Sequence, residues 1–438
     1  MNKKDNKSVI KRIIGLLILM AGISGLFFID VFPQASNNLL ILLLGSVLLI
    51  SVGLSFITVT QRYLENISRI FVGCIFIYSG FVKAVDPLGS QYKFVDYFTA
   101  WGMDYMEPIA LYLGLLLSTV EFVVGLALFF NNLTKLASLG SLLFMLIFTP
   151  ITLYLAMQEQ SSGKELVHDC GCFGDSIILT NWQTFIKNLI ILIPVFIVFF
   201  RRKKFESIFV CKANIVLTVI YTVLIVSLST YGLLHLPIID FRPYKIGTYI
   251  PEGMAIPEGA QQPVYSDPVF ILKKNGVTKE FSMESYPTEP GWEYVDRKID
   301  LIDPGYIPPI HDFTISSDET GDITEDILNS EKHVLLIVAY DLTKSSVKKQ
   351  DEINALYNWS ISNNMDMICL TASVSSEIDV FKAKTGALYK FFSTDPITLK
   401  TIIRSNPGLV LLKKGTVINK WHYNDIPTTE YLSKIVGK

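Results

Sequence analysis

Apolar runs, each near the roughly 20 residues that a helix needs to cross a bilayer, recur along the chain as far as residue 236 and then stop. They fall at 13–31, 38–59, 69–85, 108–130, 136–157, 182–200 and 213–236, which predicts seven transmembrane helices. The third run is short and rich in small residues. The stretch 91–106 carries Tyr92, Tyr97, Phe98, Trp101 and Tyr105, and because tyrosine and tryptophan favour the headgroup depth it is read as interfacial. Lys3, Lys4, Lys7, Lys11 and Arg12 precede the first run as they would precede a secretory signal. No small-x-small cleavage site follows it and a second run starts almost at once, so a retained helix is expected.

Beyond residue 236 the pattern changes twice. Residues 237–309 are dense in proline, glycine and aromatic side chains with few periodic apolar runs; extended structure is expected there, with a hairpin around Asn275-Gly276. From residue 310 strands and helices alternate. Lys332–Tyr340 reads as a buried strand, Ser345–Asn363 as a helix, Met365–Ala372 as a second strand and Ser376–Thr385 as another helix. Leu409–Lys413 and Thr416–Trp421 form a hairpin about Lys414-Gly415, and a helix over 428–436 closes the domain.

Composition agrees with the pattern. Half of the 438 residues are hydrophobic and 18% are charged, which places the chain among membrane proteins. A net charge of -2 with no basic stripe excludes a nucleic-acid partner. Lysine and arginine cluster at the N-terminus, at Arg62 and Arg69, at Lys135, and at Arg201, Arg202, Lys203, Lys204 and Lys212, while the alternate loops carry few. By the positive-inside bias the N-terminus is cytoplasmic, and the 86–107 loop, the loop around residue 170 and everything after about 237 lie outside. In a bacterium this is an inner-membrane protein with a periplasmic C-terminal domain.

That second outward loop holds the strongest chemical signal, His168-Asp169-Cys170-Gly171-Cys172-Phe173-Gly174-Asp175. Two cysteines separated by one residue close only a small, strained ring, and strained disulfides exchange most readily. The pair is predicted to be a disulfide at rest in an oxidising compartment. His168, when protonated, would stabilise a thiolate. Two plainer readings stay open: a fixed disulfide that ties the loop down, and a metal clip, though a structural zinc wants four ligands and a wider spacing than C-x-C. Cys369 lies in an alternating apolar strand and reads as a core thiol.

Two further features belong to the apolar segments. Arg69, Gly73, Phe76, Gly80 and Lys83 share one helical face, a stripe suited to close helix packing with charged ends that reach the interface; Lys83 is at the end expected to face the cysteine loop. Glu121 sits in mid-span, where a carboxylate is costly and seldom incidental. It is either kept protonated by desolvation or paired with Tyr78, Ser79 or Lys83. An interhelical hydrogen bond and a proton-handling or ligand-binding role are both open to it.

The run from Arg69 to Pro87, with its R-x3-G-x6-G-x2-K-x2-DP pattern, Glu121 in the next helix and the Cys-Gly-Cys-Phe-Gly loop together resemble the DoxX/MauE group of small bacterial membrane proteins. The resemblance implies a four-helix unit over 66–200 and a redox-associated envelope role, because MauE-type proteins are linked to maturation of a disulfide-rich periplasmic dehydrogenase subunit and DoxX-type proteins to quinol or thiol chemistry. Two helices before the unit (1–65), a seventh helix (201–236), a connector (237–309) and a soluble domain (310–438) depart from the small members and are similar to multidomain DoxX-family proteins of Bacteroidota. The order of elements after 310 resembles the thioredoxin fold, with Asn406-Pro407-Gly408 standing where thioredoxins carry a cis-proline. The place of their Cys-x-x-Cys pair holds Asp341-Leu342-Thr343-Lys344-Ser345-Ser346 instead. The domain therefore has no redox pair, and it is expected to be a platform that binds a partner at Asn406, Pro407 and Gly408 by strand addition.

The expected fold is thus an α-helical membrane protein of about seven transmembrane helices, with a DoxX/MauE-like four-helix bundle, plus a C-terminal α/β thioredoxin-like domain. One reading of function is a thiol-disulfide factor acting on a periplasmic client through Cys170, Cys172, His168, Lys83 and Glu121. The other is a scaffold subunit of an envelope complex whose cysteines are a staple. The sequence requires no cofactor, and leaves room for a quinone.

Overall fold

The computed structural model describes residues 61–437, except 163–166, His168, Ile208, Pro263, Asn275, Glu284, Thr288, Asp300 and Pro304; before residue 61 it describes only Gly45, Ser46 and Leu49. The helices expected at 13–31 and 38–59 thus lie outside the described residues. The chain divides after Arg242 into two compact units.

The first unit contains helices α1 (Gln61–Val85), α2 (Pro87–Ala100), α3 (Ala110–Phe129), α4 (Thr134–Ser162), α5 (Asn181–Arg201) and α6 (Cys211–Leu234). Five of these, all but α2, are long and apolar enough to span a membrane, which makes the chain a multi-pass membrane protein. Helix α1 begins eight residues before the expected 69, because its polar first turns have partners: Glu65 lies 3.4 Å from Arg201 Nε and 3.5 Å from Lys204 Nζ. The aromatic stretch read as interfacial lies, as far as Ala100, in helix α2, which starts at Pro87 after Asp86 caps it by accepting from the Gly89 N–H at 3.0 Å. Thr180 and Gln183 form a reciprocal capping box that opens α5 where the cysteine loop ends.

Helices α1 and α3 meet along their glycines. A Cβ at Gly73 would stand 2.9 Å from Phe129 N, one at Gly80 2.5 Å from Phe122 N, and one at Gly125 2.5 Å from Ile77 N. Main chain therefore touches main chain, as small residues at this spacing allow where lipid removes the hydrophobic drive for association. Arg69 closes one end of the seam by donating to the carbonyls of Leu128 and, at 2.8 Å, Phe129, at the C-terminal end of α3. Leu136, Leu143, Ile147, Ile193, Phe200, Ile215 and Val223 remain exposed on α4, α5 and α6, an apolar surface suited to lipid tails.

The second unit is mixed α/β. Its seven-stranded sheet runs in the order β12–β11–β8–β9–β10–β6–β7, where β6 is Ser316–Ser317, β7 Gly321–Asp322, β8 His333–Val338, β9 Asp366–Thr371, β10 Lys390–Ser393, β11 Gly408–Lys413 and β12 Thr416–His422. Strands β8, β9 and β10 are parallel, and β11 is antiparallel to both β8 and β12. Val334–Val338 is buried on both faces, as a central parallel strand must be. Helices α9 (Gln350–Ser362), α10 (Ser375–Thr385) and α12 (Thr429–Val436) contribute Ile353, Leu356, Phe381 and Leu432 to one core with Leu335, Ile337, Cys369, Leu409 and Leu411. Cys369, 1% exposed, is the expected core thiol. The Lys414-Gly415 turn, with φ of +48° and +70°, has the two left-handed residues of a tight hairpin.

The remaining elements of this unit are α7 (Ile250–Met254), a pair of short strands β1 (Val264–Tyr265) and β5 (Leu301–Asp303), a three-stranded antiparallel sheet of β2 (Val269–Lys274), β3 (Val277–Phe281) and β4 (Glu293–Lys298), and helices α8 (Thr324–Leu328) and α11 (Pro396–Ile402). The expected hairpin is there, with Lys274 opposite Val277. Residues 247–250 belong to the sheet: Gly247 donates to Val417 O at 2.8 Å, Val417 to Thr248 O at 2.9 Å and Ile250 to Gly415 O at 2.8 Å.

Candidate functional site

The end of α1 carries Ser79 and Lys83 one turn apart, and the middle of α3 carries Glu121. The glycine seam brings these polar groups together. Lys83 Nζ is 2.8 Å from Glu121 Oε2 and 3.2 Å from Oε1, and it donates to Ser79 Oγ at 2.8 Å. Ser79 donates to Glu121 Oε2 at 2.9 Å. Glu121 and Lys83 are 2% and 6% exposed, so the pair is taken out of water on all sides. Of the three partners open to Glu121, two hold it; Tyr78 turns instead to Ser176 Oγ at 3.1 Å.

The cysteine loop is tied to this cluster by its own backbone. Cys172 O accepts from Lys83 Nζ at 2.5 Å and lies 2.7 Å from Ser79 Oγ, whose single proton it shares with Glu121. On the other side Asp169 pairs with Lys93 at 2.7 Å and accepts from the Gly171 N–H at 2.6 Å, while Tyr97 of α2 donates to Cys170 O at 3.4 Å. Gly171 has φ of +65°, and a Cβ there would meet Lys93 Cγ at 3.0 Å, so the residue between the cysteines has to be glycine.

The sulfurs of Cys170 and Cys172 lie 3.1 Å apart, as thiols in contact and not as a bonded pair. Hydrogen bonding from Cys170 holds the Cys172 thiol well below its ordinary range, helped by the ammonium groups of Lys187 and Lys83. The same hydrogen bond, together with burial, pushes Cys170 well above it. Burial, with Cys170 beside it, raises the Tyr97 phenol.

Lys187 is the residue that sequence reasoning missed. It lies in the second turn of α5, is 3% exposed, and stands 4.5 Å from the centre of the Phe173 ring. The signal was present, because an ionisable group within an apolar span is as informative there as Glu121 is in α3. Cys170, Cys172, Lys83, Lys187, Ser79 and Glu121 all line one cavity of about 290 Å³, whose lining also includes Phe94, Phe98, Trp101, Phe144 and Phe148.

The other expected site residues lie elsewhere. His168 is outside the described residues. Asn406, Pro407 and Gly408 are buried in the second unit. Asn406 O accepts from Ser346 N at 2.9 Å, Asn406 Nδ2 donates to Asp341 O at 2.8 Å, and Gly408 is paired with Val338 on one side and His422 on the other. Among the described residues, no group of three or more His, Cys, Asp or Glu is arranged to hold a metal.

Residues 61–201 match the family model of Methylamine utilisation protein MauE. This is a MauE-like membrane segment. It contains the seam, the ion pair and the thiol loop, and its bounds enclose the 66–200 unit expected from the sequence. Residues 267–304, which hold the three-stranded sheet, match a domain of unknown function (DUF8463). No curated protein matches the chain. Among solved structures, a putative protein disulfide isomerase from Bacteroides thetaiotaomicron aligns at 17% identity over 28% of this chain and 81% of that chain, with a TM-score of 0.23.

Proposed function

We propose that the chain is a redox-associated protein of a bacterial inner membrane, in which Cys170 and Cys172 exchange electrons with the thiols or disulfide of a client outside the cytoplasm. The observation that carries this reading is the contact of the two sulfurs at 3.1 Å beside the buried Lys83–Ser79–Glu121 cluster. A static loop has no need of the buried Lys187 ammonium beside its thiols. A thiolate does, because it is the attacking species and has to be stabilised where water is excluded. The MauE match supports the redox setting.

In this proposal the N-terminus is cytoplasmic and the C-terminal α/β unit is periplasmic, on the strength of the basic clusters. That unit is taken as thioredoxin-like: the order β12–β11–β8–β9, with β8 and β9 parallel and β11 reversed, is the order expected of that fold. Its Asp341–Ser346 segment has no cysteine and is a turn in which Asp341 Oδ1 accepts from Thr343 N at 2.9 Å, so the domain serves as a binding platform and not as a second redox centre. Asn406, Pro407 and Gly408 are the segment at which that platform is proposed to bind a partner by strand addition.

A second reading, the scaffold with a stapled loop, draws on the burial of Cys170, 8% exposed. The two are separated by expressing Cys170→Ser and Cys172→Ser variants in cells and searching for a mixed disulfide. A client trapped on either single variant, and loss of client maturation in the double variant with the protein still accumulating, is expected. Normal maturation in the double variant would leave the scaffold reading.

A further inference from the structure

The Lys83–Glu121 and Lys93–Asp169 pairs are each neutral, and Arg242 is matched by Asp240 at 2.7 Å. Lys187 is different. Among the described residues no ion pair joins a carboxylate to its ammonium, which is buried against the Phe173 ring and lines the same cavity as Cys172. A buried ammonium without a counter-ion is strongly unfavourable, so the group calls for an anion in its surroundings. Cys170 and Cys172 line the same cavity and either could supply one, but Cys172 is the less buried of the two and so the one a client can reach.

We infer that Lys187 and Cys172 form a buried ammonium–thiolate pair, so that Cys172 is the attacking sulfur of the thiol pair and Cys170 the resolving one. The assignment rests on the exchange reading above and adds the direction of attack. Cys172 Sγ⁻ attacks one sulfur of a client disulfide; the Cys172–client bond forms, the client S–S bond breaks, and the second client sulfur leaves as a thiolate. Cys170, 3.1 Å away, gives its proton to that thiolate and attacks Cys172 Sγ. The Cys170–Cys172 bond forms, the client departs with both sulfurs reduced, and the two electrons it has gained are those the cysteine pair has lost. Lys187 is a positioning residue in this sequence, since it acts through the charge of Cys172. The lowered thiol of Cys172 and the raised one of Cys170 agree with these roles.

Other charges face Cys172 and bear on its titration: Lys83 of α1, Glu121 of α3, Lys93 and Tyr97 of α2, and Asp86, Asp169 and Asp175 in the flanking segments. The test therefore isolates Lys187. Full-length reduced protein in detergent is treated with iodoacetamide between pH 5 and 10, and alkylation of Cys170 and Cys172 is resolved by peptide mass. In the parent protein Cys172 is expected to react first, with a midpoint well below the roughly 8.5 of a free cysteine. Lys187→Met should raise that midpoint by a unit or more and slow labelling at pH 7 about tenfold, while Lys187→Arg, which keeps the cation, should restore most of it. Labelling of Cys170 first, an observation that needs no variant, would overturn the assignment, as would an unchanged midpoint in Lys187→Met. A Lys187-dependent midpoint with no client trapped in cells upholds the ion pair and defeats the exchange reading alone.

Discussion

Replacing Gly80 by alanine adds one methyl group where two helices have no room for it. The new Cβ would lie 2.5 Å from Phe122 N, 2.7 Å from Ser118 O and 2.9 Å from Phe122 Cα, all main-chain atoms of α3 that no rotamer change can move aside. Ordinary contact begins near 3.4 Å, so the helices have to part by about 1 Å. Overpacking of this kind costs about 1–3 kcal/mol where neighbours are side chains that adapt; against fixed backbone the upper figure applies. Alanine returns up to about 1 kcal/mol through its helix propensity, which leaves a net loss of about 2 kcal/mol. The site suffers as well, because Ser79 and Lys83 flank Gly80 and reach Glu121 at 2.9 and 2.8 Å, and a 1 Å separation breaks both contacts. Thermal unfolding in detergent, followed by tryptophan fluorescence, measures the first effect. The control is Gly140→Ala, whose Cβ meets only the Val124 Cγ2 methyl at 3.3 Å and should be neutral or mildly stabilising. A Gly80→Ala protein that melts with the parent would refute the account of the seam.

Glu121→Gln leaves the Lys83 ammonium buried without its counter-charge and should cost about 3 kcal/mol; Lys83→Met combined with Glu121→Gln should recover much of the loss, and a double variant as unstable as the sum of its parts would deny the coupling. Cys369, 1% exposed with its thiol pushed up by burial, should resist alkylation at neutral pH until the chain unfolds, and reaction with native protein at the rate of a free thiol would contradict its place in the core. A reporter fused after Lys438 should work only if it matures outside the cytoplasm and one after Lys204 only if it works inside, so a cytoplasmic C-terminus would reverse the proposed orientation.

The apolar runs from residue 69 onward were legible because a span has to be long and apolar, but their polar margins were not. The first turns of α1 are helical through Glu65 meeting Arg201 and Lys204, contacts between residues far apart in the chain. The helix expected at Ser345–Asn363 starts at Gln350 instead. Lys348 and Lys349 disfavour a helix N-terminus, whereas Asp351 and Glu352 suit its dipole, so the local signal was available and was outweighed by apolar spacing. Strand β10 and helix α11 went unseen, since Lys390–Ser393 is too short for its alternation to register. In the site, Lys83, Glu121 and the cysteines declared themselves by being polar in apolar surroundings. Their meeting in one cavity depends on how closely α1 and α3 approach, which spacing suggests and only packing fixes.

The cysteine loop is moored through the carbonyl oxygen of Cys172, held by Lys83 and Ser79, and not through its sulfur. Attachment and reactivity thus reside in different atoms of the same residue. A serine or an alanine at position 172 would keep the mooring intact, so defects in such variants can be ascribed to missing chemistry and not to a displaced loop.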